Sequence, residues 1–346
     1  MIKLPFSKKL FPFPDGWYVL LRSSDLQKGQ IVSKKFAGKD IVVYRTHSGK
    51  AVVADAYCPH MGAHFGFGGL IEGETIKCPF HYFCFDTEGN CTKTGYDTKP
   101  PAKAILKMYT IREVNGFVII WHHSKNENPS WEVPAADNND WSEVLVADYD
   151  LNSHPQETTE NSVDIGHFAI VHKYFDVKEL HDLSINGPYL NAKYAFSRKG
   201  GILGNENIRA NINIHVHGLG YSFVEVDIPQ YKIQTRQYVF PTPTEDGKII
   251  LKIGMSVKKI TKPSQVNPFL VLLPKSMVNK IILNKAFQGY CHDVSQDFDV
   301  WQNKVYIDNP ALALGDGPIG KYRQWCRQFY SSEIHENKRE EISPLI

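Results

Sequence analysis

The 346-residue chain has no apolar run long enough to cross a bilayer. Its most apolar stretches, Phe269 to Leu273 and Met277 to Leu283, are separated by Pro274 and Lys275 and fall far short of the roughly 20 residues that a membrane helix needs. Met1 to Asp15, broken by Pro5, Pro12, Pro14 and by lysines, has no signal-peptide character. A block of like charge is also missing: 39 Lys plus Arg face 37 Asp plus Glu, a net +2, so nothing tracks a phosphate backbone and nucleic acid is not expected as a partner. No Gly-x-Gly-x-x-Gly follows a strand-like run, which leaves no obvious flavin or nicotinamide site. Nor does any internal repeat stand out. With only six cysteines, the composition fits a reducing compartment, and a cytoplasmic protein without a membrane span is expected.

What is present is a pair of ligand motifs, Cys58-Pro59-His60 and, after a 17-residue gap, Cys78-Pro79-Phe80-His81. One alternative is structural zinc, which mixed Cys and His sets also bind. Zinc sites, however, favour Cys pairs two to four apart and His pairs three to five apart, whereas each pair here is mixed. The Cys-x-His and Cys-x-x-His pattern, with Gly62 after the first pair and Tyr82-Phe83 after the second, resembles the Rieske [2Fe–2S] family. That resemblance implies that Cys58, His60, Cys78 and His81 hold a cluster, with thiolates on one iron and imidazoles on the other. Respiratory members of the family add a disulfide between the two loops. Ala63 and Phe80 stand at those places here, which points to the low-potential oxygenase and ferredoxin branch and leaves Cys84, Cys91, Cys291 and Cys326 as free thiols.

A Rieske ferredoxin needs only about a hundred residues, and this chain has enough for two cores. Short runs rich in β-branched and aromatic residues, such as 17–21, 40–44, 51–54 and 116–121, predict an all-β domain over 16–123 with the ligand pairs on its loops. The polar stretch 124–140, with Pro129, Pro134 and Asn138-Asn139-Asp140, reads as the connection. Residues 141–346 form the second domain, where alternation over 205–259 predicts an antiparallel sheet under helices. The fold class is therefore α+β.

The second domain opens with Asn161-Ser162-Val163-Asp164-Ile165-Gly166-His167 and, five residues later, His172. Five residues on a regular helix turn by about 140° and would point the imidazoles apart, so a shared metal requires a bend, for which a π-bulge between Ile165 and His172 is one device. Downstream of a Rieske motif, Asn-x-x-Asp-x-x-His-x4-His resembles the catalytic signature of Rieske non-haem iron oxygenases. The resemblance implies a mononuclear Fe(II) held by His167, His172 and a late carboxylate. Among Asp293, Asp297, Asp299 and Asp308, the segment Ser295-Gln296-Asp297-Phe298-Asp299-Val300-Trp301 matches the family's Gln-Asp-x-x-x-Trp and selects Asp297, with Asp293 one turn earlier as the fallback. Asn161 is placed near the iron. In relatives an acid at the Asp164 position bridges a cluster imidazole of one subunit to an iron imidazole of the next, here His81 and His167. A head-to-tail homotrimer is implied with it.

Electrons must then come from a separate reductase, with or without a ferredoxin between. His215 and His217 share one face of a predicted strand and read as sheet residues rather than a third metal site, while Gly218 and Gly220 are candidates to line a substrate cavity. The segments Tyr57 to Gly62, Asn161 to His172, Asp297 to Pro310, Gly317-Pro318 and Arg323 to Tyr330 are similar to two steroid-acting groups, the oxygenase component of 3-ketosteroid 9α-hydroxylases and the cholesterol 7-desaturases. An N-terminal anchor like that of the latter is not expected here. The expected activity is a terminal monooxygenase that hydroxylates, demethylates or desaturates a steroid-like substrate. A Rieske oxygenase for an aromatic or alkylamine natural product and a pure electron carrier are the alternatives.

Overall fold

The computed structural model describes residues 10, 12–199, 207–266 and 268–331. The first nine residues, Asn205 and Glu206 of the predicted sheet, and the tail 332–346 assigned above to the second domain lie outside the described residues. Ten short strands make the N-terminal part: β1 (Gly16–Arg22), β2 (Ile31–Phe36), β3 (Lys39–Arg45), β4 (Ala51–Asp55), β5 (Leu70–Glu72), β6 (Thr75–Lys77), β7 (Cys84–Phe85), β8 (Cys91–Lys93), β9 (Ile111–Val114) and β10 (Phe117–His122). They form three small antiparallel sheets, ordered β1-β10-β9, β2-β3-β4 and β5-β6-β7-β8. Val42, Tyr44, Val52, Phe65, Ile76 and Phe85 are buried in a core beneath the last sheet, and this rigid base carries the loops 56–69 and 78–83.

The second part is a seven-stranded antiparallel sheet in the order β11-β17-β16-β15-β14-β13-β12. Its strands are β11 (Leu145–Leu151), β12 (Phe175–Asn186), β13 (Tyr189–Lys199), β14 (Asn207–His217), β15 (Tyr221–Ile228), β16 (Ile233–Glu245) and β17 (Lys248–Val257). β12 to β17 follow one another as a meander, which is why alternating side chains sort cleanly to two faces. On β14, Ile208, Ala210, Ile212 and Ile214 are buried on one face, while Asn211, Asn213 and His215 take the other and are only partly covered. Among the described residues five α-helices accompany the sheet: α1 (Pro155–Glu160), α2 (Ile165–Ile170), α3 (Lys275–Ser295), α4 (Phe298–Asn303) and α5 (Ile319–Cys326). No helix among the described residues is long and apolar enough to cross a membrane.

β16 contains Pro241 and Pro243, which a central strand would not tolerate. β15 pairs with β16 only as far as Val239, so both prolines sit where one edge is free. That free edge meets the N-terminal part, where Ala37 N–H donates to Pro243 O (2.9 Å) and Gly38 N–H to Thr244 O (2.8 Å). Trp17, Val19, Phe117 and Ile119 pack there against Tyr221, Tyr238 and Phe240. Trp131 and Val133, from the stretch predicted as a connection, are partly and fully buried in the same seam. Gly218 and Gly220 also belong to this seam and not to a cavity. A Cβ at Gly220 would meet the Trp17 carbonyl at 2.4 Å and Tyr18 at 2.3 Å, and one at Gly218 would meet Trp131 at 2.8 Å. The close approach expected of these glycines is made to protein, not to a ligand.

Candidate metal centres

The two cysteine–histidine loops are near copies of each other. Cys58 N–H donates to Ala63 O (2.8 Å) and Gly62 N–H returns to Cys58 O (2.9 Å). Likewise Cys78 N–H donates to Phe83 O (2.8 Å) and Tyr82 N–H returns to Cys78 O (3.2 Å). The fourth residue after each Cys has positive φ, +75° at Gly62 and +55° at Tyr82. Glycine takes that conformation freely, whereas at Tyr82 the fold must hold an aromatic residue in the left-handed region.

This geometry buries both thiols and brings the imidazoles together at the tip, His60 and His81 with ring centroids 4.8 Å apart. Phe83 stacks on His60 at 4.2 Å and fixes its plane. Burial, with the Cys78 thiol alongside, pushes the Cys58 thiol up to about 12. His81 turns Nδ1 inward to a position without any hydrogen-bond partner among the described residues. A buried ring nitrogen without a partner is costly unless something binds it, and with two buried sulfurs alongside the set fits a [2Fe–2S] cluster with Cys58, Cys78, His60 and His81 as its donors. All six cysteines are free, and Ala63 and Phe80 allow no bridge between the loops.

In the second domain His167, His172 and Asp297 present donor atoms all within 4.8 Å of one another, the one such group among the described residues. The expected π-bulge is not how the two histidines meet. α2 ends at Ile170, Lys173 enters the left-handed region (φ +59°), and Tyr174 N–H closes back on Phe168 O at 2.9 Å. Lys173 Nζ caps the exposed Ile170 carbonyl at 2.5 Å, a cation at the negative end of the helix. His172 therefore lies beyond the helix, and its ring returns to within 5.1 Å of His167.

Asp297 comes from another break, between α3 and α4, and is 6% exposed. Its Oδ2 lies 3.5 Å from His172 Nε2. Burial raises its carboxyl to about 6 and depresses the His167 imidazole to about 4. A divalent cation would reverse both penalties, so the donor set fits a mononuclear two-histidine, one-carboxylate iron. Asn161 caps the C-terminus of α1 and accepts from Trp301 Nε1 at 3.4 Å, beside the trio.

The other carboxylates go elsewhere. Asp299 and Asp308 are exposed. Asp293, the fallback, is taken by Arg198 Nη1 at 2.5 Å and by the Tyr174 hydroxyl at 3.1 Å. Asp164 is the N-cap of α2, its Oδ1 accepting from His167 N–H at 3.1 Å. The His167 Nδ1–H does not go to that carboxylate, 3.9 Å away, but to the Asp164 main-chain carbonyl. The carboxylate itself stays partly exposed. His215 bonds the Tyr189 hydroxyl (2.7 Å) and stacks on Phe223, on the sheet face away from the trio.

Several residues around the site were given no role by the sequence. Gln296, the glutamine of the Gln-Asp-x-x-x-Trp segment, accepts at Oε1 from His172 Nδ1–H at 3.0 Å, which leaves Nε2 free for a metal. Glu160 pairs bidentately with Arg323 at 2.6 and 3.0 Å, and Glu157 with Lys304 at 2.8 Å, tying α1 to α5 and to the segment after α4. These ion pairs anchor the turn that holds Asn161 and Asp164.

The trio opens on a cavity of about 640 Å³ between the sheet and α3. Its floor is mostly aliphatic, with Ile208, Ala210, Ile212 and Ile214 from β14 and Val224, Val226 and Ile228 from β15. Lys285 and Gln288 of α3 stand exposed at the rim.

Residues 16–110 match the Rieske [2Fe–2S] domain family, and residues 120–330 match the 3-ketosteroid 9α-hydroxylase C-terminal domain family. The chain is 31% identical to the cholesterol 7-desaturase of Drosophila melanogaster, over 93% of this chain and 76% of that one. It is 28% identical to the oxygenase component of the 3-ketosteroid-9-alpha-monooxygenase of Rhodococcus rhodochrous, over 92% of this chain and 84% of that one. Among solved structures, dicamba monooxygenase bound to dicamba superposes with a TM-score of 0.66 at 15% identity, covering 93% of this chain and 98% of that one, a likeness of fold.

Proposed function

Because the chain belongs to the Rieske oxygenases built on the 3-ketosteroid 9α-hydroxylase C-terminal domain, and is thus an enzyme with a [2Fe–2S] cluster and a mononuclear iron, we propose that it is the terminal oxygenase of a multicomponent system. Its substrate is a sterol or steroid-like polycyclic compound, which it hydroxylates, demethylates or desaturates. The observation that carries the substrate class is the cavity: about 640 Å³, floored by aliphatic side chains and ending at His167, His172 and Asp297. A pocket of that size with a largely aliphatic floor suits a large rigid apolar molecule; of the cations in its lining, Arg198 is paired with Asp293 and Lys285 stands exposed at the rim, so neither makes the buried charged clamp that a small aromatic acid would call for.

When bound, the cluster relays electrons singly and the iron activates O₂. The residues do the rest. Gln296 fixes the His172 tautomer, the Asp164 carbonyl fixes that of His167, and the aliphatic floor excludes water and sets the substrate's plane. Electrons are supplied by a separate reductase, as the name of the Rhodococcus relative, an oxygenase component, supports.

The path between centres runs across subunits in a head-to-tail trimer, with Asp164 between His81 of one subunit and His167 of the next. The partly exposed Asp164 carboxylate supports this, as do apolar side chains left bare at both ends: Met61, Phe67 and Phe80 by the cluster loops, Ile170 and Leu314 near Asp164. The same reading keeps the division into a Rieske domain 16–123, a connection 124–140 and a catalytic domain 141–346.

The test is a binding and turnover screen on protein holding about three irons per chain, two in the cluster and one mononuclear. With a reductase supplied, sterols or ketosteroids should bind and yield a hydroxylated, demethylated or dehydrogenated product. Binding of small aromatic acids or alkylamines with no response to any steroid would overturn the substrate class.

A further inference from the structure

One polar atom in the cavity floor has no role in the fold. Thr235 of β16 is only 3% exposed, and its hydroxyl has no hydrogen-bond partner among the described residues. It lines the cavity on the same strand face as Ile233, Gln237 and Val239. Ser222, on the neighbouring strand and also in the lining, satisfies itself by donating to Val239 O at 3.0 Å. Valine has the same branched shape as threonine and would fill the Thr235 position without an orphaned hydroxyl.

Register places this hydroxyl relative to the metal trio. Tyr194, Ile212, Val226 and Thr235 form one continuous cross-strand row over β13, β14, β15 and β16. At the near end Tyr194 packs edge-on to Phe168, with ring centroids 5.6 Å apart, between the two histidine ligands in sequence. Thr235 lies three strand spacings along, roughly 14 Å at about 4.8 Å per step. Between them only Ile212 and Val226 face the cavity. The row reads as metal end, apolar span, then one hydroxyl.

We propose that the Thr235 hydroxyl is the anchor for a terminal hydroxyl or keto oxygen of an elongated, otherwise apolar ligand, and that it decides which end of that ligand lies away from the metal trio. Thr235 can donate to a ketone or exchange donor and acceptor roles with an alcohol, and so serves either oxidation level. The inference rests on the sterol reading of the cavity and names the residue that orients the substrate there.

The experiment compares wild type, Thr235→Val and Thr235→Ser, as holoenzymes, for binding of cholesterol and of its deoxy analogue, which lacks only the hydroxyl, both presented in cyclodextrin and followed by equilibrium dialysis. Thr235→Val should weaken cholesterol binding about tenfold, the equivalent of one hydrogen bond, and leave the deoxy analogue unchanged. Thr235→Ser should retain most of the preference. Without ligand, Thr235→Val should melt no lower than wild type, since the hydroxyl it removes bonds to nothing. Equal affinity of wild type for the two ligands, or a variant that loses both alike, overturns the anchor while leaving the sterol reading intact. A variant with a lowered melting temperature and unaltered binding overturns it as well, assigning the hydroxyl to the fold. Wild type that binds neither ligand overturns the sterol reading and the anchor together.

Discussion

Replacing Asp293 with Asn, in parallel with Asp297→Asn, separates two carboxylates one helical turn apart that the sequence offers as alternatives. In the structure Asp293 Oδ2 accepts from Arg198 Nη1 at 2.5 Å and from the Tyr174 hydroxyl at 3.1 Å, while Asp297 lies with His167 and His172. Asn at 293 keeps an oxygen for Tyr174 but loses the charge facing Arg198. A buried charge-assisted bond is worth about 1.5–3 kcal/mol, but the Arg198 side chain is 36% exposed, which scales the loss toward the ~1 kcal/mol of a surface pair. The expected cost is about 1–2 kcal/mol, a drop in Tm of roughly 3–6 °C for a domain of this size. Ala at 293 also strands the phenol and should cost roughly 2–3 kcal/mol. The assay is a thermal melt with iron and sulfide quantitation on the same sample. Asp293→Asn should melt lower and keep its mononuclear iron, whereas Asp297→Asn should lose that iron and keep the cluster's colour. The opposite pattern, iron lost at 293 and kept at 297, would refute the assignment.

Three further outcomes are expected. Asp164→Asn should load both centres yet slow single-turnover reoxidation of the cluster roughly 10- to 100-fold or more, read by stopped-flow absorbance; unimpaired turnover would remove Asp164 from the electron path. A Cβ at Gly289, in the roof of the cavity, would meet nothing within 4 Å. Gly289→Ala should therefore stabilise α3 by about 1 kcal/mol in a melt, while Gly289→Leu, which projects into the cavity, should weaken binding of bulky steroids; full affinity in the Leu variant would show that the substrate lies elsewhere. His122, against Phe13 and Phe36, has its pKa lowered by burial to about 4. The unfolded chain binds this proton first, so stability falls as pH drops from about 6.5 toward 4, by roughly 3 kcal/mol in total. His122→Phe should flatten that limb of a pH-dependent urea titration, and an unchanged limb would place the acid sensitivity in other groups.

Both ligand pairs and the Asn161-to-His172 segment stood out because metal chemistry demands particular residue types at short spacings, and such spacings survive in a linear string; Asp297, far downstream, was indicated only by the resemblance of its own segment to the family's. Much of the fold was legible for a similar reason: β1, β3, β4, β10 and the strands from β14 to β17 alternate or cluster β-formers strongly enough to be read directly. β12 was not, since its exposed, polar residues carry little hydrophobic period. Misread in detail was the turn that joins His167 to His172. A helical repeat predicts divergence or a bulge, whereas the chain simply ends the helix and lets Lys173 take positive φ.

The glycines at 218 and 220 show the other limit. A glycine announces that something approaches the backbone, but which body approaches is a matter of tertiary packing, and here it is Trp131, Trp17 and Tyr18. Asp293 is similar: the sequence holds it as the fallback to Asp297, and only the arrival of Arg198 from β13 commits it to an ion pair. The sequence by itself thus pointed to candidate donors and to the class of chemistry, because ligand identity is a property of residues. Tertiary structure decided what holds the competing Asp293, how the imidazoles are oriented, and that an aliphatic cavity with one unpaired buried hydroxyl opens beside them. Those are properties of distances between segments that fold together from separate parts of the chain, and the spacing along a chain does not record them.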